Sequence, residues 1–252
     1  MRAFVLALLS LVLPVAAFAY TPDTSDLSNV AHLQLSANTV KSAIVQAKGR
    51  PLQFAVGAAL TADTDSGSWD EPEAGVSRWR LRVGSSGAKS LSFQFDQLSL
   101  PAGAELYLYT ADGADVQGPY TFTSNGSLVT PVSRSEEVVL EARMPSAAKS
   151  GFALHLARAF HAYRDFSTLA DKSFPGVSGS SGACEVNVAC SAGDNYRDQI
   201  RSTVLLTVVS GGDEYFCSGS LVNNSAQDNR ALILTANHCL IRSNNVTQAI
   251  AY

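Results

Sequence analysis

The chain has 252 residues, enough for two domains of ordinary size; 46% of the residues are hydrophobic and only 16% are charged. This balance provides ample apolar material for a packed core and excludes a generally disordered chain. A net charge of -4 and a pI near 5.5 argue against a nucleic-acid partner, because binding to phosphates needs clustered Lys and Arg.

The N-terminus has the features of an export signal. Arg2 precedes an apolar run over residues 3–16, and Ala17 and Ala19 are the small residues that signal peptidase accepts. The run is shorter than the roughly 20 residues needed to cross a bilayer. We therefore expect a signal peptide at 1–19, cleaved after Ala19, and a secreted product with no membrane contact after cleavage.

Short alternating patterns follow the signal, with turn residues between them. A short helix is expected at 39–46. Alternation of apolar and polar residues predicts half-buried strands at 52–56, 78–83, 91–95, 105–109, 137–142 and 152–161. In a helix-poor sequence each strand must bury its apolar face against a second sheet. We predict an all-β fold, with a β-sandwich or jelly-roll-like module over 20–175.

Secreted binding modules often have this architecture, which gives an alternative function. A non-catalytic carbohydrate-binding or inhibitory β-module would use exposed aromatic rings. The candidates are Trp69, Tyr107, Tyr109 and Tyr120. The plainer interpretation is that most of these rings belong to the core.

The cysteines mark a domain boundary. All four, Cys184, Cys190, Cys217 and Cys239, lie in the last third of the chain. We place the boundary in the Gly/Ser-rich stretch at 176–183, a composition that resists regular structure and is easily cut. In an oxidising compartment four cysteines suggest disulfides, with three possible pairings.

The pattern that carries chemistry lies near the end of the chain. Two apolar strands, at 216–222 and 231–235, are joined by a polar loop and place His238 at the end of a buried strand. A general base must be held in one orientation, and a bridge between Cys217 and Cys239 would fix the turn that carries His238. A structural histidine beside a disulfide fits the local pattern equally well.

These residues resemble a known family. The motif Thr-Ala-Asn-His-Cys at 235–239 is similar to that of the chymotrypsin-like serine proteases. Together with Gly-Val-Ser-Gly at 176–179, the Cys184 and Cys190 pair and the segment 217–223, it resembles the start of mature bacterial lysyl endopeptidases. The resemblance implies the N-terminal part of a chymotrypsin-like β-barrel at 176–252, preceded by a propeptide at 20–175.

The resemblance also implies roles for single residues. His238 would be the general base that takes the proton from a nucleophilic serine. Cys217 and Cys239 would form a disulfide. Cys184 and Cys190 would pair with cysteines further downstream; without those partners we expect them to stay free, a bridge between the two being the less favoured alternative.

Departures from the family pattern set a limit on activity. Asn237 replaces the alanine of the broader family, which we expect to be tolerated. No Gly-Asp-Ser-Gly-type motif and no catalytic Asp strand follow His238 before Tyr252. We therefore expect this polypeptide alone to be inactive. Whether it is a fragment of a longer enzyme or a pseudo-enzyme stays open.

Partners and cofactors follow from the same resemblance. We expect protein or peptide substrates, with a preference for lysine, and a propeptide that assists folding of its own catalytic domain and blocks it until cleavage. Self-processing after Lys172 would release the catalytic part. His155 and His161 could begin a metal site, but no nearby ligand pattern completes one, so we expect no metal and no cofactor.

Overall fold

The computed structural model describes residues 20–50, 52–123, 126–165, 190–240 and 249–252. The predicted signal peptide with its cleavage site at Ala19, the Gly/Ser-rich stretch, Lys172 and Cys184 lie outside the described residues. The predicted domain boundary therefore stays a prediction.

The described part of the chain is an all-β fold, as predicted. Its strands are β1 (His32–Gln34), β2 (Gln53–Asp63), β3 (Ser68–Glu73), β4 (Val76–Gly84), β5 (Leu91–Ser99), β6 (Glu105–Thr110), β7 (Val116–Tyr120), β8 (Leu128–Val129), β9 (Glu137–Pro145), β10 (Ala153–Ala162), β11 (Thr203–Ser210), β12 (Asp213–Val222), β13 (Leu232–Thr235) and β14 (Ala249–Ala251). Its helices are α1 (Ala37–Gln46), α2 (Arg197–Ser202) and α3 (Asn237–Leu240), with 3-10 turns at Leu27–Asn29, Thr64–Ser66, Ser146–Gly151 and Ser191–Tyr196.

The sequence patterns predicted part of these elements. All six alternating runs form strands, which are β2, β4, β5, β6, β9 and β10. The predicted helix is α1, which begins after Ser36, whose hydroxyl accepts a hydrogen bond from the backbone N–H of Thr39. Among the described residues, no helix is both long enough and apolar enough to cross a membrane.

The strands form two sheets that pack face to face. A six-stranded sheet has the order β1-β4-β9-β6-β7, with β3 also paired to β4. An eight-stranded sheet has the order β14-β11-β12-β2-β10-β5-β8, with β13 beside β12. Trp79 and Leu140 of the first sheet are fully buried in one apolar cluster with Phe93 and Leu156 of the second. The N-terminal region is thus a two-layer β-sandwich.

Polar side chains on the other face of the six-stranded sheet are also buried. Arg78 and Arg80 both donate to the carboxylate of Asp70, and the hydrogen bond from Arg78 lowers the pKa of Asp70. The Tyr20 hydroxyl donates to Glu141 of β9 at 2.5 Å. Tyr20 therefore covers part of this face and pairs one of its buried polar groups, whereas Asp70 of β3 pairs the two arginines.

The C-terminal strands extend a sheet of the N-terminal region. The first half of β12 pairs with the start of β2, and the backbone N–H of Phe216 donates to the carbonyl of Leu52 at 2.9 Å. We call this junction, residues 52–57 against 211–216, the β2–β12 seam. Through it, β11 to β14 and the sandwich share one continuous eight-stranded sheet.

Candidate active site

A β-hairpin carries the candidate catalytic histidine. β12 and β13 pair antiparallel, with Gly219 opposite Thr235, and a polar loop joins them. The Thr235 hydroxyl donates to the carbonyl of Ser218 at 2.8 Å, which holds the end of β13 against β12. The chain then enters the one-turn helix α3, whose second residue is His238. The hairpin thus fixes the position at which α3 begins.

A disulfide clamps the helix to the hairpin. Cys217 of β12 and Cys239 of α3 are bonded; their Cα atoms are 6.1 Å apart, and their sequence separation is 22. By the chain-entropy relation, a loop of this length gives about 3 kcal/mol of stabilisation. The pairing is the one that the family resemblance implies. It restrains the residue on the N-terminal side of Cys239, which is His238.

The prediction that His238 follows a buried strand is wrong. Ile233 and Leu234 of β13 are 41% and 66% exposed, and Leu221 and Val222 on β12 are exposed as well. In the described part of the chain β13 pairs with β12 alone, and the two strands present an apolar surface to solvent. His238 is itself exposed at the end of this surface.

His238 lines a cleft of about 470 Å³. One wall is the stretch of β12 around Phe216, and another comes from Arg50 and Leu52 of the N-terminal region. Arg50 is held beside β12 by Asp213, with Nη1 3.5 Å from Oδ2. Sequence reasoning missed Arg50 and Leu52, because a polar stretch ahead of a strand gives no sign of a contact 160 or more positions away.

Glu214 is a second residue that the sequence did not reveal. Its side chain is 1% exposed, and the hydroxyl of Ser92 donates to Oε2 at 2.8 Å. Burial raises the pKa of Glu214 to about 8, although the hydrogen bond from Ser92 acts in the opposite direction. The neighbouring Asp213 and two glycines are typical of an exposed turn. The local sequence therefore gave no indication that Glu214 is buried.

Two histidines of the N-terminal region, His155 and His161, have structural partners. Nδ1 of His155 lies 2.5 Å from a carboxylate oxygen of Asp96. Nδ1 of His161 lies 2.7 Å from the hydroxyl of Ser85, and burial lowers the pKa of His161. Both side chains are thus engaged away from the cleft of His238.

Potential metal ligands come together at one place in the described residues. They are the Sγ atoms of Cys217 and Cys239 and a ring nitrogen of His238, all within 4.8 Å of one another. Both sulfur atoms belong to the disulfide and offer no thiolate, so this donor set does not suit a metal ion. Cys190 is exposed with a free thiol.

The aromatic candidates for a sugar platform are largely core residues. Tyr107 and Tyr109 are 5% and 0% exposed. Trp69 packs edge-on against Phe152, and Tyr120 packs against the buried cluster of the sandwich. These four rings therefore do not form an exposed stacking surface, and the plainer interpretation holds.

Comparison with known proteins points to the class that the hairpin, the disulfide and the histidine suggest. Residues 178–252 match the family model for the lysyl endopeptidase C-terminal domain. The lysyl endopeptidase of Pseudomonas aeruginosa is 27% identical to this chain over 214 residues, covering 76% of the chain and 44% of the relative. The chain thus spans less than half the length of this relative. These similarities support a relationship with a family of proteases.

Proposed function

We propose that this chain is the first part of the precursor of a secreted serine endopeptidase, with His238 as the general base. The observation that carries the proposal is the exposed imidazole in a cleft, held at the end of the hairpin by the disulfide from Cys217 to Cys239. The family match over 178–252 supports the same class. Export would follow from the signal peptide predicted at 1–19.

The proposed chemistry is acyl transfer to a serine. The imidazole of His238 takes the proton of the serine hydroxyl as the oxygen attacks the peptide carbonyl, and returns it to the leaving amine. Water then hydrolyses the acyl-enzyme. The serine, the aspartate and the oxyanion donors would come from a further segment of a longer protein, so this chain alone is inactive in the proposal. The exposed apolar surface of β12 and β13 is suited to packing against that segment.

The N-terminal region has a second role in the proposal. Residues 20–175 would act as a propeptide that assists folding and covers the active site until cleavage. Arg50 and Leu52 support this role, because they line the cleft that contains His238. The name of the P. aeruginosa relative supports peptide substrates cut at lysine. With that preference the enzyme would process itself after Lys172, and N-terminal sequencing of the secreted product checks this cut.

The direct test removes the imidazole. In a longer protein that contains the serine and the aspartate, His238→Ala should lower kcat on a lysine-containing peptide by about 10⁴-fold or more. The matched control is His155→Ala, which removes a histidine that pairs with Asp96 outside the cleft. It should leave kcat within about twofold. A His238→Ala protein with the full hydrolytic rate would reject the proposal.

A further inference from the structure

The β2–β12 seam contains a small core that both regions build. The rings of Phe54 and Phe216 stack with centroids 4.1 Å apart and an angle of 16° between their planes. Phe160 and Val129 of the sandwich and Val209 of β11 complete the same buried cluster. The contact is therefore close-packed and apolar at its centre, as stable protein interfaces are.

Polar contacts surround this core. The carboxylate of Asp213 accepts a hydrogen bond from the backbone N–H of Gly57 at 3.1 Å, and its other oxygen faces Arg50. At the far side, the backbone N–H of Val132 donates to the hydroxyl of Tyr252 at 2.9 Å. The seam thus has an apolar centre with a paired polar rim.

The two backbones approach each other closely at Gly57. A Cβ atom at this position would lie 1.9 Å from the carbonyl oxygen of Gly212 in the turn between β11 and β12. Any side chain larger than hydrogen would push β12 away from β2. The fit at the seam therefore depends on this glycine, and the position offers a specific way to open it.

Glu214 places a buried acid within the seam, beside residues of this apolar core. Ala55 of β2 and Val209 of β11 lie opposite it in the two ladders, and Ser92 of β5 donates to it. Among the described residues, the phenol of Tyr252 interacts with it electrostatically, and the pKa of this phenol is itself raised mainly by burial. Burial in these surroundings favours the protonated form of the carboxyl.

The protonation of Glu214 determines how docking depends on pH. In the docked state burial raises the pKa of Glu214 from an ordinary value of 4.5 to about 8. The docked state therefore binds more protons than the separated state between these two values. Docking is strongest below pH 4.5 and weakens as the pH rises. The dissociation constant increases by up to about tenfold for each pH unit until the pH passes the docked-state pKa of about 8.

We propose that the β2–β12 seam is a docking interface that keeps the N-terminal sandwich bound to the C-terminal segment after the connecting chain is cut, and that this interface opens in alkaline medium. The inference rests on the proposed function, in which hydrolysis separates the two regions. Hydrolysis adds water across one peptide bond, giving a carboxylate and an amino group, and leaves the contacts of the seam in place. While docked, the sandwich keeps Arg50 and Leu52 at the cleft of His238.

The test uses the full chain with a recognition sequence for a site-specific protease inserted between Gly179 and Ser180. After cleavage, analytical ultracentrifugation over a dilution series measures the dissociation constant Kd of the two fragments. We expect association at pH 6 and a Kd that rises by roughly 100-fold at pH 9. Absence of association at pH 6, or a rise below about tenfold, overturns the inference. The measurement needs no proteolytic activity, so the proposed function can fail separately.

Two variants locate the effect. Glu214→Gln keeps the shape of the side chain without an ionisable proton, and should show the same low Kd at both pH values. The control is Glu136→Gln on an exposed glutamate, which should keep the wild-type pH dependence. A Glu214→Gln complex that still weakens about 100-fold at pH 9 would contradict the role of this acid.

Gly57→Ala tests the geometry of the seam. It should raise Kd at both pH values by at least about tenfold, while far-UV circular dichroism of the uncut chain shows an intact sandwich. The control is Gly151→Ala, whose new Cβ would meet Pro101 at 3.2 Å, away from the seam. If Gly57→Ala kept the wild-type Kd, this would contradict the claim that the two fragments associate through the β2–β12 seam.

Discussion

The N-terminal sandwich and the C-terminal hairpin bury their side chains in different ways. The largest fully buried side chains of the described chain, among them Trp79, Phe93 and Leu140, all belong to the sandwich. On β11 and β12, burial is concentrated near the seam, at residues such as Val208 and Phe216. The sandwich thus has a core of its own, whereas the hairpin shares one with its neighbour.

The two strands of the hairpin are also held by different means. On β12, Phe216 stacks on Phe54 and apolar burial fixes the strand at the seam. On β13, Leu234 is exposed, and the disulfide from Cys217 to Cys239 ties the helix that follows β13 to β12. A covalent clamp thus holds the proposed general base next to a strand that has no core of its own.

The largest effect should come from removing the shared core. Phe216→Ala should lower the free energy of unfolding by about 3–5 kcal/mol, because it leaves a cavity against Phe54. Urea denaturation of the intact chain measures this. The control is Phe122→Ala at a side chain that is 82% exposed, with an expected change within about 0.5 kcal/mol. A loss below about 1 kcal/mol for Phe216→Ala would mean that the two regions share no core.

A smaller effect should follow loss of the clamp. Replacing Cys217 and Cys239 together by Ser should cost about 3 kcal/mol, because the unfolded chain is no longer constrained. Hydrogen exchange should speed up more in β13, which loses its covalent tie, than in the six-stranded sheet. Cys190→Ser, at the free exposed thiol, is the control and should change neither. Unchanged exchange in β13 of the double variant would contradict a clamping role.

Local pattern predicted most of the sandwich. Leu91, Phe93 and Phe95 alternate with polar residues, and all three are fully buried in β5. The same reasoning failed for β13, because its apolar run does not say whether another layer covers it. Alternation reports which face of a strand is apolar, whereas burial depends on what packs against that face.

The candidate site was predictable only in part. His238 and its disulfide could be expected from a short motif that the sequence shares with a known family. The seam could not be predicted, because Phe216 and Leu52 are far apart in sequence. Nothing in the sequence of either strand indicates that β2 and β12 pair, or in which register. Glu214 was missed for the same reason, since its burial arises from that pairing.

The exchange rate of one amide gives the most direct test of the seam. The hydrogen bond from Phe216 N–H to the carbonyl of Leu52 holds the N-terminal sandwich beside the cleft of His238. In the intact chain at pH 6, NMR-detected hydrogen exchange should show strong protection of the Phe216 amide, and Gly57→Ala should remove that protection. A Phe216 amide that exchanges as fast as that of Ser225 in the exposed loop would contradict the account.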